Sequence, residues 1–379
     1  MKVVIIGAGV LGASTAYHLA REGADVTVVD QAHDGRATAA GAGIVCPWAS
    51  GAEDAAFYRL YSDGGCYYGE LVDALAAAGE ADLGFRRSGA LLVSSDPAEL
   101  ASLESLLRCR SSATPEMGRV EAVAARDIQL LFPPLARGLA GVHVAGGARV
   151  DGRLLAAALL RAAQHHGAVV RAGHAELLAS GHRVTGVRLS GEIIAGEQVV
   201  LAAGAWAPEL LRPFGIGLPV EPQRGQIVHL QLPQGATESW PVILPSGSHY
   251  LVPFDNGRVV AGATRETGSG FDHRVTAAGQ LEVLSEALRI APGLAAATVL
   301  ETRVGFRPAA PDMRPLLGCS GELGGLVIGN GLGAAGLTIG PFAGSLLANL
   351  VLGRPPACDL TPFDPARRQT SARPQAPLR

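Results

Sequence analysis

The chain opens on an apolar run, Val3–Ile6, followed directly by Gly7-Ala8-Gly9-Val10-Leu11-Gly12, a helical pattern through Ala13–Arg21 and a second apolar run, Ala24–Asp30. No other feature restricts the fold as much. Two continuous apolar strands joined through glycines and a helix, all within about thirty residues, have the order and length of a βαβ unit. Gly7 then permits the tight turn, Gly9 lets backbone approach a pyrophosphate, and Gly12 lets helix and strand pack closely. The helix N-terminus at Val10 and Leu11 offers N–H groups and the positive end of its dipole to phosphate. Asp30, at the end of the second strand, is placed to accept hydrogen bonds from a ribose. These residues predict dinucleotide binding, and by themselves they do not choose between NAD and FAD.

The rest of the chain alternates in texture. A helix from Asp151 to about His166 leads to strand Ala168–Arg171, a hairpin-like pair at Leu177–Leu178 and Val184–Leu189, and strand Gln198–Leu201 ending in Ala203-Gly204. Residues 81–147 and 219–305 are instead rich in short strands. The expected fold is therefore α/β combined with α+β: a discontinuous Rossmann-type binding domain (1–80, 148–218 and 306–362) with a strand-rich substrate domain (81–147 and 219–305) inserted. Residues 363–379 read as a mobile tail.

Composition narrows the function classes. Apolar residues make up 48% and charged residues 17%, a globular balance. Lys+Arg is 31 against Asp+Glu 34, so no overall positive field gathers nucleic acid. The five cysteines are odd in number and never in CxxC spacing, which excludes a disulfide framework or zinc knuckle and points to reduced thiols in the cytoplasm. No export signal pattern starts the chain. Leu323–Gly353 carries no charge over 31 positions, yet nine of those residues are Gly and one is Pro341. It reads as a strand, a glycine loop and a buried helix of about sixteen residues, not as a transmembrane segment. His165-His166 reads as a helix C-terminal feature, not a metal site, and no His–Asp or Cys–His catalytic constellation stands out.

Several ordered segments carry a resemblance covering nearly the whole chain. They are the N-terminal Gly7–Gly12, Ala39–Ile44, Val199–Trp206, Pro222-Gln223-Arg224-Gly225-Gln226, Gly305-Phe306-Arg307-Pro308 with Pro311-Asp312, and the Gly329–Thr338 loop. Together they resemble the FAD-dependent D-amino-acid oxidase superfamily, the group of glycine oxidase, sarcosine oxidase and D-amino-acid dehydrogenase. The resemblance implies FAD, bound non-covalently because Cys319 does not match the placement of a flavin-anchoring cysteine. It sets Gly43 and Ile44 beside the flavin, and Ala175, Ala203 and Gly204 towards the pyrophosphate and adenosine. The loop Gly331, Leu332, Gly333, Gly336, Leu337 and Thr338 would face the flavin N1 and C2 carbonyl region, where its amides and a helix dipole favour negative charge.

Arg307 is the expected substrate ligand, since a guanidinium matches a carboxylate with two parallel donors; the resemblance also sets it near the cofactor and adds the Tyr250 hydroxyl to the same carboxylate. His249 is expected on the opposite face from Tyr250. Small Ala334 and Ala335 imply a more open pocket than that of glycine oxidase. The implied reaction is oxidative deamination of an α-amino acid, D in preference, by hydride transfer from Cα to flavin N5, giving a 2-oxo acid and ammonia. A secondary amino acid of the proline, hydroxyproline or sarcosine type is the alternative substrate, and a non-catalytic dinucleotide-binding protein the alternative of another class. Expected partners are the amino acid and oxygen or a quinone acceptor, with a homo-oligomer left open.

Overall fold

The computed structural model describes residues 1–233 and 235–367. The opening pattern forms the centre of a six-stranded sheet. Its order is Leu316–Cys319, Leu326–Asn330, Gln198–Leu201, Lys2–Ile6, Asp25–Asp30 and Val169–Ala172, all pairs parallel except the first. The continuous apolar runs are explained by burial on both faces. Val3, Ile5, Val26, Val28, Val200 and Val327 face one core, while Val4, Ile6, Val29, Val199, Leu201 and Ile328 face the other. The first core is built with helices Val10–Arg21, Ala55–Ala77, Gly152–His165 and Gly336–Val351; the second is closed by a three-stranded antiparallel sheet over residues 175–195.

The uncharged C-terminal segment is a core helix. Gly336–Val351 packs on Val10–Arg21 through glycines: a Cβ on Gly340 would lie 2.7 Å from Val10 Cγ1, and one on Gly344 2.5 Å from Ser14 Cβ. Pro341 has no N–H for the Leu337 carbonyl one turn earlier. That carbonyl instead accepts from Tyr68 Oη, while Ser14 Oγ donates to the Pro341 carbonyl at 2.7 Å.

The strand-rich segments pair into one eight-stranded sheet. Its order is Thr298–Ala309, Glu221–Gln231, Arg258–Gly262, Tyr250–Pro253, Val242–Pro245, Ala90–Ser94, Ala140–Val144 and Val120–Val123, antiparallel except where Val242–Pro245 meets Ala90–Ser94. Strand Thr298–Ala309 runs unbroken through the 305/306 boundary expected from sequence, because its pairing with Glu221–Gln231 continues to Ala309. One sheet strand thus delivers Arg307 to the meeting of the two halves. The start of the expected mobile tail is also packed. Phe363 is buried in the first core, and Arg367 forms a buried ion pair with Asp312 at 2.9 Å. Residues 368–379 of that tail lie outside the described residues.

Candidate active site

A cavity of about 1180 Å³ runs from the Gly7–Leu11 turn to Arg307 and Tyr250. That exceeds the roughly 300–1,000 Å³ of a pocket for one drug-sized molecule. Two helix N-termini open onto it, at Val10 and Leu11 and at Gly336 and Leu337; neither N-cap residue caps its helix with a side chain, though the Val10 N–H donates to Thr38 Oγ1 at 3.0 Å. Both therefore aim the positive ends of their dipoles at the same space.

At the first end, Gly7 adopts φ +107°, and a Cβ on Gly12 would lie 1.9 Å from the Gly7 carbonyl oxygen. Gly12 accordingly serves helix–strand packing and stands behind the cavity wall. Asp30 lines the cavity, but its carboxylate already accepts from the Ala8 and Ala32 N–H groups, both at 2.6 Å. It holds the glycine turn in shape as well as offering its remaining lone pairs to a ligand. Ala175, Ala203 and Gly204 line the same end. Trp206 stacks on His33 at 4.4 Å and on Phe271 at 5.0 Å, so it belongs to an aromatic wall of the cavity.

Gly43 and Ile44 line the middle of the cavity. The smallness of this segment has a packing cause: Gly43 has φ +87° with no room for a Cβ beside the Val150 carbonyl, and a Cβ on Gly41 would lie 2.6 Å from Leu337 Cδ1. Across from it, Leu332, Gly333, Gly336 and Leu337 line the cavity as expected, whereas Gly331 and Thr338 do not. The Gly331 N–H is taken by Asn330 Oδ1 at 2.7 Å, and Thr338 Oγ1 donates to the Ile44 carbonyl at 3.0 Å. Both residues brace the site from behind.

At the far end, Arg307 and Tyr250 line the cavity together and act on each other electrostatically. Arg307 Nη1 donates to the Thr264 carbonyl at 3.1 Å. Burial pulls the guanidinium below its usual pKa range; the Tyr250 phenol opposes this and the Arg265 charge adds to it. An arginine nevertheless stays protonated. Burial raises the Tyr250 pKa, so its hydroxyl remains a donor. Two glycines make the space. A Cβ on Gly262, the cross-strand partner of Tyr250, would lie 2.6 Å from its Oη, and one on Gly225 would meet the Arg307 guanidinium. His249 precedes the strand rather than lying within it and lines the cavity beside Tyr250, contrary to the alternation expected; its Nε2 is 3.4 Å from Glu282.

This arrangement, with a dinucleotide turn, an electropositive loop and an end lined by Arg307 and Tyr250 in one cavity, is that of a flavin-dependent oxidoreductase. The chain belongs to the DAO family of FAD dependent oxidoreductases, which residues 2–350 match. It is 48% identical over 364 residues to the uncharacterized oxidoreductase YurR of Bacillus subtilis (strain 168), covering 96% of this chain and 98% of that one. It is 32% identical over 375 residues to the glycine oxidase of Pseudomonas aeruginosa, covering 97% and 99%. Among solved structures, the iminodiacetate oxidase of Chelativorans sp. BNC1 matches with a TM-score of 0.93 at 53% identity, over 96% of this chain and 98% of that one. The cofactor is FAD, and the two helix N-termini and the glycine turn that open onto the cavity fit its phosphates and an anionic ring edge.

Sequence reasoning missed Arg265 and Tyr61, which line the cavity with Arg307 and Tyr250. Glycines lie within a few residues of both, but no strand–glycine–helix pattern surrounds either, and the fold brings them to the cavity.

Proposed function

We propose that the protein oxidises the Cα–N bond of a small secondary α-amino acid, an N-substituted glycine, with Arg307 and Tyr250 holding the carboxylate. The observation that carries this reading is that Arg307 and Tyr250, each seated in a space left by a glycine, both line the end of a cavity that begins at the dinucleotide turn. Non-covalently bound FAD supplies a two-electron acceptor for the hydride leaving Cα. The protein's part is orientation and charge. Arg307 offers two donors to the carboxylate, Tyr250 a third, and the Thr264 carbonyl keeps the guanidinium aimed. The helix beginning at Gly336 favours negative charge where electrons arrive.

Similarity to an iminodiacetate oxidase at 53% identity supports a secondary amine as the substrate and oxygen as the acceptor. The second reading, a primary amino acid such as a D-amino acid deaminated to a 2-oxo acid and ammonia, is supported by the likeness to glycine oxidase. Non-covalent binding is supported at the one cysteine on the cavity wall, Cys46, whose thiol burial pushes up to about 12, leaving it protonated and a poor nucleophile. Free cysteines suit the cytoplasm.

The test is anaerobic mixing of the yellow holoenzyme with sarcosine, iminodiacetate, glycine, and D- and L-alanine, followed by oxygen uptake in air. Bleaching of the flavin by the N-substituted glycines ahead of the primary amines is expected. Bleaching by D-alanine alone would replace this reading with the second one, and no bleaching by any of the five would sink both.

A further inference from the structure

At the substrate end the cavity reaches the surface. Ser246 is exposed to solvent and lines the cavity at once, in the hairpin loop 246–249 that leads directly to Tyr250. Facing it is helix Pro97–Ser111, which contributes Glu99 and, one turn on, Leu103 to the same wall. The opposite end of the cavity carries the dinucleotide turn, so the opening between this helix and this hairpin is the one left to a small substrate. A side-chain contact joins the two elements. Ser246 Oγ donates to Glu99, 2.8 Å from either carboxylate oxygen, and Ser94 Oγ donates to Glu99 Oε2 at 2.6 Å.

Both partners sit on lightly held segments. The hairpin strands Val242–Pro245 and Tyr250–Pro253 share a single paired position, Ile243 with Leu251, so their ladder stops before the loop. Gly247 in the loop has φ +111°, and nothing lies within 4 Å of the place a Cβ would occupy. In the helix, Leu107 is the one buried residue of fifteen. Few buried apolar contacts mark an element of low local stability. Its C-terminal end is nevertheless anchored: Arg110 Nη1 donates to the Trp48 and Ser50 carbonyls at 2.6 and 2.7 Å, and the guanidinium lies 4.2 Å over the Tyr58 ring. The end left to swing is the first turn, which carries Glu99.

We infer that Glu99 latches the substrate mouth: its carboxylate holds Ser246 and closes the opening, and the contact breaks each time a small carboxylic acid passes to or from Arg307 and Tyr250. Glu99 is thus a positioning residue that acts through the hairpin. That the passing molecule is a carboxylic acid rests on the amino-acid reading of the Arg307 site. A negative charge on this wall works against an entering anion, and the two hydroxyls bonded to it offset that repulsion while the mouth is shut. The carboxylate also gives what a neutral acceptor would not, since a hydrogen bond to an ionised group is roughly twice as strong as a neutral one. That strength suits an exposed serine, whose hydroxyl water would otherwise take. Because the same contact is broken on entry and on exit, the latch sets both rates and leaves the affinity alone.

The test uses the holoenzyme and two probes that are not turned over: methoxyacetate, followed by its perturbation of the flavin spectrum, and sulfite, followed by loss of flavin colour. Stopped-flow mixing and displacement give an association and a dissociation rate for each. Ser246→Ala removes the hydroxyl without changing charge. It should raise both rates by roughly three- to tenfold, the effect of one exposed charge-assisted hydrogen bond, with Kd constant to about twofold. Ser246→Thr keeps a hydroxyl and should hold both rates near the wild-type values. Ser105→Ala, at an exposed position of the same helix, should change neither. The inference is overturned if Ser246→Ala leaves both rates unchanged, if it moves Kd by altering one rate alone, which would make Ser246 a ligand contact, or if Ser105→Ala speeds both rates equally. Failure of the amino-acid reading itself shows differently: methoxyacetate then leaves the wild-type spectrum unchanged, while the sulfite rates still report on the latch.

Discussion

A Cβ on Gly225 would lie 2.5 Å from both Nη1 and Nη2 of Arg307. The guanidinium occupies the space that the glycine leaves empty on the neighbouring strand. Because the crowded atoms are the far end of a flexible side chain, Gly225→Ala should displace the guanidinium rather than unfold the sheet. The expected result is normal FAD content and thermal stability, with kcat/KM for the amino acid lowered by roughly ten- to a hundredfold, about 1.4–2.8 kcal/mol. A variant with unchanged kinetics would show that Arg307 does not work from this position.

Arg307→Ala removes the paired donors and should lower kcat/KM by roughly ten- to several-hundredfold while FAD stays bound. Arg307→Lys should recover little, since an ammonium cannot reproduce the two-pronged geometry. Tyr250→Phe removes one neutral hydrogen bond, on the order of 1 kcal/mol. An amine without a carboxylate is the control. Arg307→Ala should oxidise it no worse than the wild type does, and equal losses on both substrate types would assign Arg307 to the fold or the flavin.

What the sequence made legible follows physical range. Strand Gln198–Leu201 and the sixteen-residue helix Gly336–Val351 are read correctly because period, glycine and proline are local signals. The pairing of Ala90–Ser94 with Val242–Pro245, about 150 residues on, has no local signal at all. The same holds for the glycines at 225 and 262: each makes room for a side chain on another strand, and nothing near them in sequence says which. Asp30 shows a different limit: it lines the cavity as expected, but its carboxylate also accepts from the Ala8 and Ala32 amides, a use of the residue that the motif does not encode.

The glycine turn separates cofactor binding from folding. A Cβ on Gly9 would meet only Thr38 Oγ1, at 3.2 Å, whereas one on Gly12 would lie 1.9 Å from the Gly7 carbonyl oxygen. Gly9→Val should therefore yield soluble protein with a native circular dichroism spectrum and little FAD. Gly12→Val should fail to fold or lose much of its thermal stability. Full FAD occupancy in Gly9→Val would place the pyrophosphate elsewhere.

Acid should destabilise the protein at a pH above the carboxylate range. Burial lowers the pKa of both His18 and His229 from 6.5 to about 4. For His18, the nearby Arg21 charge adds to the shift and Glu22 opposes it; for His229, Arg303 and Arg258 add to it while Glu301 and Asp151 oppose. Between those two pH values the unfolded chain binds protons that the native protein refuses, so stability is full above about 6.5 and falls as the pH drops towards 4. Urea unfolding of the FAD-saturated protein at pH 7.5 and 5.5 should differ by on the order of 1 kcal/mol for each histidine. His18 is partnered by Tyr67 Oη at 2.9 Å, so replacing it would strand a hydroxyl. His229 is the better probe, because both its ring nitrogens are buried without a hydrogen-bond partner. His229→Leu removes a group that contributes no hydrogen bond and should reduce the loss between pH 7.5 and 5.5 by about half, at little cost at pH 7.5. If the variant keeps the full wild-type loss, His229 does not take up a proton on unfolding in this range, and the acid sensitivity belongs to His18 or to other groups.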